Sequence, residues 1–298
     1  MIHYEDFERE RLDPIYDIVD QYSLMTKSQR YFINGMIRAL KPKKILEVGV
    51  FNGGGSSIIL NAISDIDGAK LYSVDYSVNS HTHKDKLTGF LVEEKFPALT
   101  DKWQMYRGSD ISGYIEEIGG DIDMLVLDTV HIHPWETLNF LCVLPFMKTG
   151  AYTILHDITL EYFKTIWRHH LACRYLFGHV VSDEKFSPAP DHEGLPSNIG
   201  AFRISEDTKR YADNLFESLF IPWSSKVSEK DMADISAIIR KYYSPEQYEF
   251  FLKAVKFQNA LKNEDNKSQK KSFHDALKIF AKEWQPRLYY SLKKLIKG

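Results

Sequence analysis

The segment KILEVGVFNGGGSS (44–57) holds residue types that suit ligand binding. An apolar run ends at Gly49, and a glycine triplet at 53–55 leads into Ser56 and Ser57. Glycine serves where backbone must take a positive φ or approach a ligand with no Cβ in the way. A helix opening directly afterwards offers free N–H donors to polar groups. A dinucleotide site would show G-x-G-x-x-G, seating pyrophosphate against the helix. Here Gly49 is followed by Gly53, the residues between include Phe51 and Asn52, and Glu47 stands two places before Gly49. A carboxylate there repels pyrophosphate and suits a ligand carrying an amino group and a sulfonium charge. The plain alternative is a tight strand–helix turn that holds nothing. Three acids, Asp75, Asp128 and Asp157, close later apolar runs. Parallel strands would bring them to one edge, the edge where ligands bind. Asp75, 26 residues after Gly49, is placed to accept hydrogen bonds from both hydroxyls of a ribose. Gly108-Ser109-Asp110 suits an adenine edge or, equally, a helix cap.

The elements that must position these groups follow from periodicity. Near-continuous apolar runs at 44–49, 70–75, 103–108, 123–128 and 152–157 predict strands covered on both faces. Helical segments near 55–64, 84–95, 110–118 and 134–147 alternate with them, the pattern of a doubly wound α/β sheet. A helix over 160–172 and strands over 177–183 and 199–205 follow, with a Pro- and Gly-rich loop (185–198) between the strands. Before the sheet, Asp13-Pro14 can open one helix, and Thr26-Lys-Ser-Gln29 matches a capping box for another. From about 207 onward the chain reads as helical, with a second cap at Ser244-Pro245-Glu246-Gln247. The expected division is an N-terminal helical cap (1–42), a ligand-binding domain (43–205) and a helical extension (206–298).

Composition bounds the function. The 298 residues are 44% apolar and 27% charged, ordinary for a globular protein with a real core. A net charge of −3 speaks against a polyelectrolyte binder of nucleic acid. Residues 267–298 carry nine Lys/Arg against two acids, or +7, leaving −10 elsewhere; this tail suits a solvated helix or contact with an anionic membrane surface. No apolar run approaches the roughly 20 residues of a membrane span, and the acidic start is unlike a secretory signal. Two cysteines, Cys142 and Cys173, make no disulfide framework and point to the cytoplasm.

These residues resemble class I S-adenosylmethionine (SAM)-dependent methyltransferases over about 30–205. ILEVGVFNGGGSS looks like the family's first motif, LYSVDYS its second and GSD its adenine-side motif. The resemblance implies a seven-stranded, mostly parallel sheet ending in an antiparallel hairpin. It also implies cofactor contacts from Glu47, Gly49, Phe51, Asn52, Gly53, Ser56, Asp75, Ser109, Asp110 and Asp128. LDTVHIHPWETLNFLCVLPFMKTGAYTILHD (127–157) is similar to a small-molecule O-methyltransferase group with Asp-x-x-His and a strand ending His-Asp. Two departures are Gly150-Ala151, where two glycines are usual, and Asn139, where relatives often carry an acid. The implied reaction is methyl transfer to a hydroxyl of a small acceptor, a sugar or natural product, with alignment as its main demand. His131, beside Asp128 and able to titrate near neutrality, is the first candidate base. His156 is the second, its alternative role being to orient Asp157. Some relatives hold a divalent cation between these strand ends, so Asp128 and Asp157 are candidate ligands for Mg²⁺.

Other features read as structural. His133 suits a cap or surface position, H-x-H at 81–83 makes a poor zinc site, and His169-His170 suits a helix C-terminus. Trp135 suits an acceptor pocket or the core. The competing functions are an NAD-dependent oxidoreductase, against which Glu47 and the glycine spacing argue, and a non-catalytic scaffold of the same fold; homo-oligomers are compatible with all three.

Overall fold

A computed structural model describes residues 3–163, 168–191 and 194–261. Helices α1 (Asp13–Asp20) and α2 (Lys27–Leu40) precede the sheet. Thr26 and Gln29 form the expected capping box, the Thr26 N–H donating to Gln29 Oε1 at 2.7 Å. The sheet then alternates with helices: β1 (Lys44–Val48), α3 (Gly54–Ile63), β2 (Lys70–Asp75), α4 (Phe90–Lys95), β3 (Trp103–Arg107), α5 (Ile115–Ile118), β4 (Ile122–Leu127), α6 (Trp135–Val143) and β5 (Met147–His156). After it come α7 (Ala172–His179), β6 (Lys185–Phe186), β7 (Ile199–Arg203), α8 (Glu206–Arg210), α9 (Asp213–Ser218) and α10 (Glu229–Tyr242).

The seven strands lie in the order β3-β2-β1-β4-β5-β7-β6, the first five parallel and the last two antiparallel. One face is covered by α1, α2 and α3, which bury Phe32, Ile33, Met36, Ile58 and Ile59 against Ile45, Met124 and Ile154. Helices α7, α9 and α10 pack around α6, whose Leu138, Phe140 and Leu141 are fully buried. The acidic strand ends Asp75, Asp128 and Asp157 thus reach one edge of one sheet.

Three expectations are corrected. The strand expected at 177–183 is the end of α7 and the turn after it. Cys173 and Leu176, three apart and fully buried, give that stretch a helical face. The sixth strand is the two-residue Lys185–Phe186, inside the stretch expected to be loop. Met147 already begins β5, so the helix expected over 134–147 stops short, with Leu144–Phe146 a 3₁₀ turn. His169 and His170 lie just before α7, and residues 164–167, which precede them, lie outside the described residues.

The chain divides into two compact units, 1–250 and 251–298. Residues 1–42 and 206–250 belong to the same unit as the sheet. Residues 251–261 are helical, and the basic tail lies outside the described residues. No described helix is long and apolar enough to cross a membrane.

Candidate active site

The glycine loop is a consequence of close packing. Gly49 has φ +92°, and a Cβ there would stand 1.8 Å from the Asp128 carbonyl oxygen, so only glycine lets the end of β1 touch the end of β4. The Asp75 carboxylate stiffens the loop: its Oδ2 accepts from the N–H groups of Val50 (2.8 Å) and Phe51 (3.1 Å), and its Oδ1 from that of Ser77 (2.8 Å). Phe51 is held at φ +54° by this arrangement.

Above the loop is a cavity of about 510 Å³. Of the expected cofactor contacts, Gly49, Phe51, Asp75, Ser109, Asp110 and Asp128 line it. Asp110 is a cap. Its Oδ1 caps the following turn by accepting from the Ser112 N–H at 3.0 Å, while its buried Oδ2 has no partner. Ser109 Oγ and Asn139 Oδ1, on residues of the same wall, are also buried and unpaired. Buried polar atoms are normally hydrogen-bonded, and three unpaired ones sit on residues of this wall. Burial, with the Asp231 charge adding, holds the Asp110 carboxyl above its ordinary range.

Glu47, Asn52, Gly53 and Ser56 line neither this cavity nor the next; they build the loop beneath it. Glu47 is fully buried, its Oε2 accepting from the hydroxyls of Ser56 and Ser73 at 2.6 Å each. Burial outweighs those two hydrogen bonds and pushes its pKa up to about 7. Asn52 Oδ1 accepts from Ser80 (2.8 Å) and Thr82 (3.0 Å), and Gly53, at φ +98°, passes close to Gly89.

A second cavity, about 160 Å³, opens on the other side of the loop. The α1–α2 connection supplies Tyr22, Leu24 and Met25, and the strand ends supply Asp128, His131, His156 and Asp157. The two cavities share Val50, Phe51, Asp128 and Thr129. In the tetrad, His156 Nδ1 lies 3.0 Å from Asp128 Oδ1, and His131 Nε2 lies 3.0 Å from Asp157 Oδ2 and 3.5 Å from Asp128 Oδ1. Burial works against a charge on His156, but Asp128 and Asp157 prevail and raise its pKa to about 9. Burial likewise opposes ionisation of Asp128, yet the facing His156 and His131 hold its carboxyl below the usual range.

The residues that orient the tetrad were missed in the sequence. Gln29 Oε1, a capping group on α2, also meets His156 Nε2 at 3.2 Å. Glu136, wholly buried in the first turn of α6, clips the loop that carries His131. Its Oε1 accepts from the His131 N–H (2.5 Å) and the Thr129 hydroxyl (2.8 Å), and lies 3.6 Å from His131 Nδ1. Burial raises the Glu136 pKa against the pull of His131. Cys173 Sγ is 3.4 Å from the same ring nitrogen, and Asn198 Nδ2 donates to Asp157 Oδ1. An acid five residues after His131, opening a helix, was the available signal for Glu136; Gln29 and Asn198 gave none.

His133 is a core residue rather than a surface one, packed edge-on to Tyr175 at 5.2 Å and 1% exposed, and burial lowers its pKa to about 4. Trp135 lines the larger cavity, as does His81.

Residues 46–158 match the model of a family described as a methyltransferase domain. The matched stretch supplies most of the residues that line the two cavities. No curated relative matches the chain in sequence. Among solved structures, the cofactor-bound Rv0187 from MTB superposes with a TM-score of 0.50 at 12% identity, covering 66% of this chain and 90% of that one. The O-methyltransferase TomG from Streptomyces achromogenes, described as involved in tomaymycin synthesis and in complex with SAM, has a TM-score of 0.48 at 12% identity, covering 69% and 91%. At such identity the likeness to Rv0187 speaks for the fold alone, a seven-stranded, mostly parallel sheet with helices.

Proposed function

We propose that the protein transfers a methyl group from SAM to a hydroxyl of a small acceptor of the sugar or natural-product kind. The observation that carries this reading is the pair of cavities meeting at Val50, Phe51, Asp128 and Thr129, one with unpaired polar groups on a methyltransferase domain, the other with a base. The larger has room for the nucleoside of SAM, with Asp75 toward its ribose and Ser109, Asp110 and Asn139 offering the unpaired atoms. The acids on its wall, which favour a cationic donor, are the reverse of what a pyrophosphate needs, and this weighs against NAD.

The acceptor occupies the smaller cavity with its hydroxyl toward His131. Its oxygen attacks the methyl carbon in line with the carbon–sulfur bond, the O–C bond forms, and the breaking bond's electron pair stays on sulfur. The hydroxyl proton passes to the His131 imidazole. Asp157 and Asp128 face that ring on one side and Glu136 on the other, so the imidazolium is stabilised where it forms. His156 bridges Asp128 and Gln29 through its two nitrogens and serves to hold Asp128 in place.

The donor set does not fit Mg²⁺, which demands an octahedron of oxygen ligands. The tetrad offers two carboxylates and two imidazoles within 4.8 Å of one another. The nearby amide of Asn198 turns its nitrogen toward Asp157, its oxygen accepting from the Thr159 N–H at 2.8 Å.

The test is methyl transfer from labelled SAM to a panel of hydroxylated acceptors, by the wild-type protein and His131→Ala. Turnover by the former, reduced by roughly two to four orders of magnitude in the latter, is expected for a lost general base. Equal turnover by both would remove His131 from the mechanism, and SAM binding without turnover on any acceptor would favour the scaffold.

A further inference from the structure

The larger cavity has a wall that the matched domain does not supply. Lys226, Ser228 and Asp231, far beyond residue 158, line it together with Asp75, Tyr76 and Asp110. The segment that bears them is pinned at its start: the N–H groups of Ser224 and Ser225 both donate to the His133 carbonyl at 3.1 Å, and Trp135 Nε1 donates to Ser225 Oγ at 3.1 Å. At its other end Ser228 caps α10, accepting from the Asp231 N–H at 3.1 Å. Asp231 is 3% exposed, and its Oδ2 accepts from Ser228 Oγ (2.6 Å) and from the Tyr76 hydroxyl (3.3 Å). Tyr76 follows the ribose-side Asp75 directly and is itself 57% exposed, so one hydroxyl ties the strand-end wall of the cavity to the helical extension.

We infer that residues 224–231 are part of the cofactor site, and that the Tyr76–Asp231 hydrogen bond is a latch that holds this wall closed over the bound nucleoside. The inference rests on the reading of the larger cavity as the SAM site. Its chemistry agrees with that ligand. Asp110 and Asp231 face one cavity as two carboxylates, suited to the amino and hydroxyl donors of a nucleoside and hostile to added phosphate. Tyr76 and Asp231 are positioning residues here: they set how long the ligand stays.

The experiment measures release of S-adenosylhomocysteine (SAH) by displacement in a stopped-flow instrument, using the full chain and Tyr76→Phe. The variant keeps the ring and removes only the latch hydroxyl. Release about tenfold faster is expected, the effect of one lost hydrogen bond to a charged group, with the unfolding midpoint of the ligand-free protein unchanged. Trp135→Phe, which unpins the other end of the segment, is expected to act in the same direction. An unchanged release rate in both variants, with tight binding by the wild type, overturns the latch and leaves the cofactor reading standing. Failure of the wild type to bind SAH overturns both.

Discussion

Glu136 shows how much of a site's behaviour sits one residue behind the reacting group. Its carboxylate accepts from the backbone of His131 and from Thr129, and faces the ring nitrogen that turns away from the acceptor. Glu136→Gln keeps the shape and an accepting oxygen but removes the charge that stabilises the imidazolium. Turnover is expected to fall roughly ten- to a hundredfold with SAH affinity unchanged, read by steady-state kinetics beside calorimetry; a loss of affinity instead would make Glu136 a structural clip only. Glu47 gives a pH signature. Its folded pKa of about 7 lies above the ordinary 4.5, so the folded state holds its proton more tightly. The stability this adds is complete below pH 4.5 and is lost as pH rises through 7. Glu47→Gln, permanently neutral, is expected to be no less stable than wild type at pH 8 and to lack that loss, measured by denaturant unfolding at pH 5 and 8. Parallel profiles for the two proteins would contradict the burial argument. The sequence placed Glu47 beside the ligand; strand alternation turns it under the loop, onto Ser56 and Ser73, and that choice of face is set by packing on α3.

The element that decides the site is the turn from β1 to α3. Gly49→Ala puts a methyl group into the Asp128 carbonyl at a positive φ, so it is expected to destabilise the protein by more than about 3 kcal/mol and to abolish SAH binding. Wild-type stability in the Gly49→Ala variant, measured by denaturant unfolding, would show the two strand ends to be free to separate. This turn was legible because glycine and acid spacing report backbone demands directly, and the five parallel strands because buried strands leave continuous apolar runs. The hairpin beyond β5 was not. Val180 and Val181 suggested a strand, but the buried face of Cys173 and Leu176 carries α7 to His179, and β6 is too short to leave a pattern. Candidate site residues on strand ends, Asp128, His131, His156 and Asp157, were legible for the same reason as the strands. Gln29, Asn198 and Asp231 come from elements whose approach to the sheet is a tertiary fact, and each already had a local role, as cap or loop polar group, that hid the second.

At the scale of the molecule, one sheet edge collects groups from residue 22 to residue 231, and the function turns on which ligand that edge takes. Mg²⁺ in millimolar excess is expected to leave the unfolding midpoint unchanged, because Asp128 and Asp157 are each already matched by an imidazole; a rise specific to Mg²⁺ would contradict the pairing described. The most direct measurement is thermal unfolding of the full chain with SAH, and separately with NAD. Ligand at about 100 times its Kd adds roughly 2.7 kcal/mol, which for a domain of this size raises the midpoint by several degrees, at about 2–4 °C per kcal/mol. SAH is expected to give that rise and NAD none. A rise with NAD alone, or no response to SAH, would contradict the proposed function.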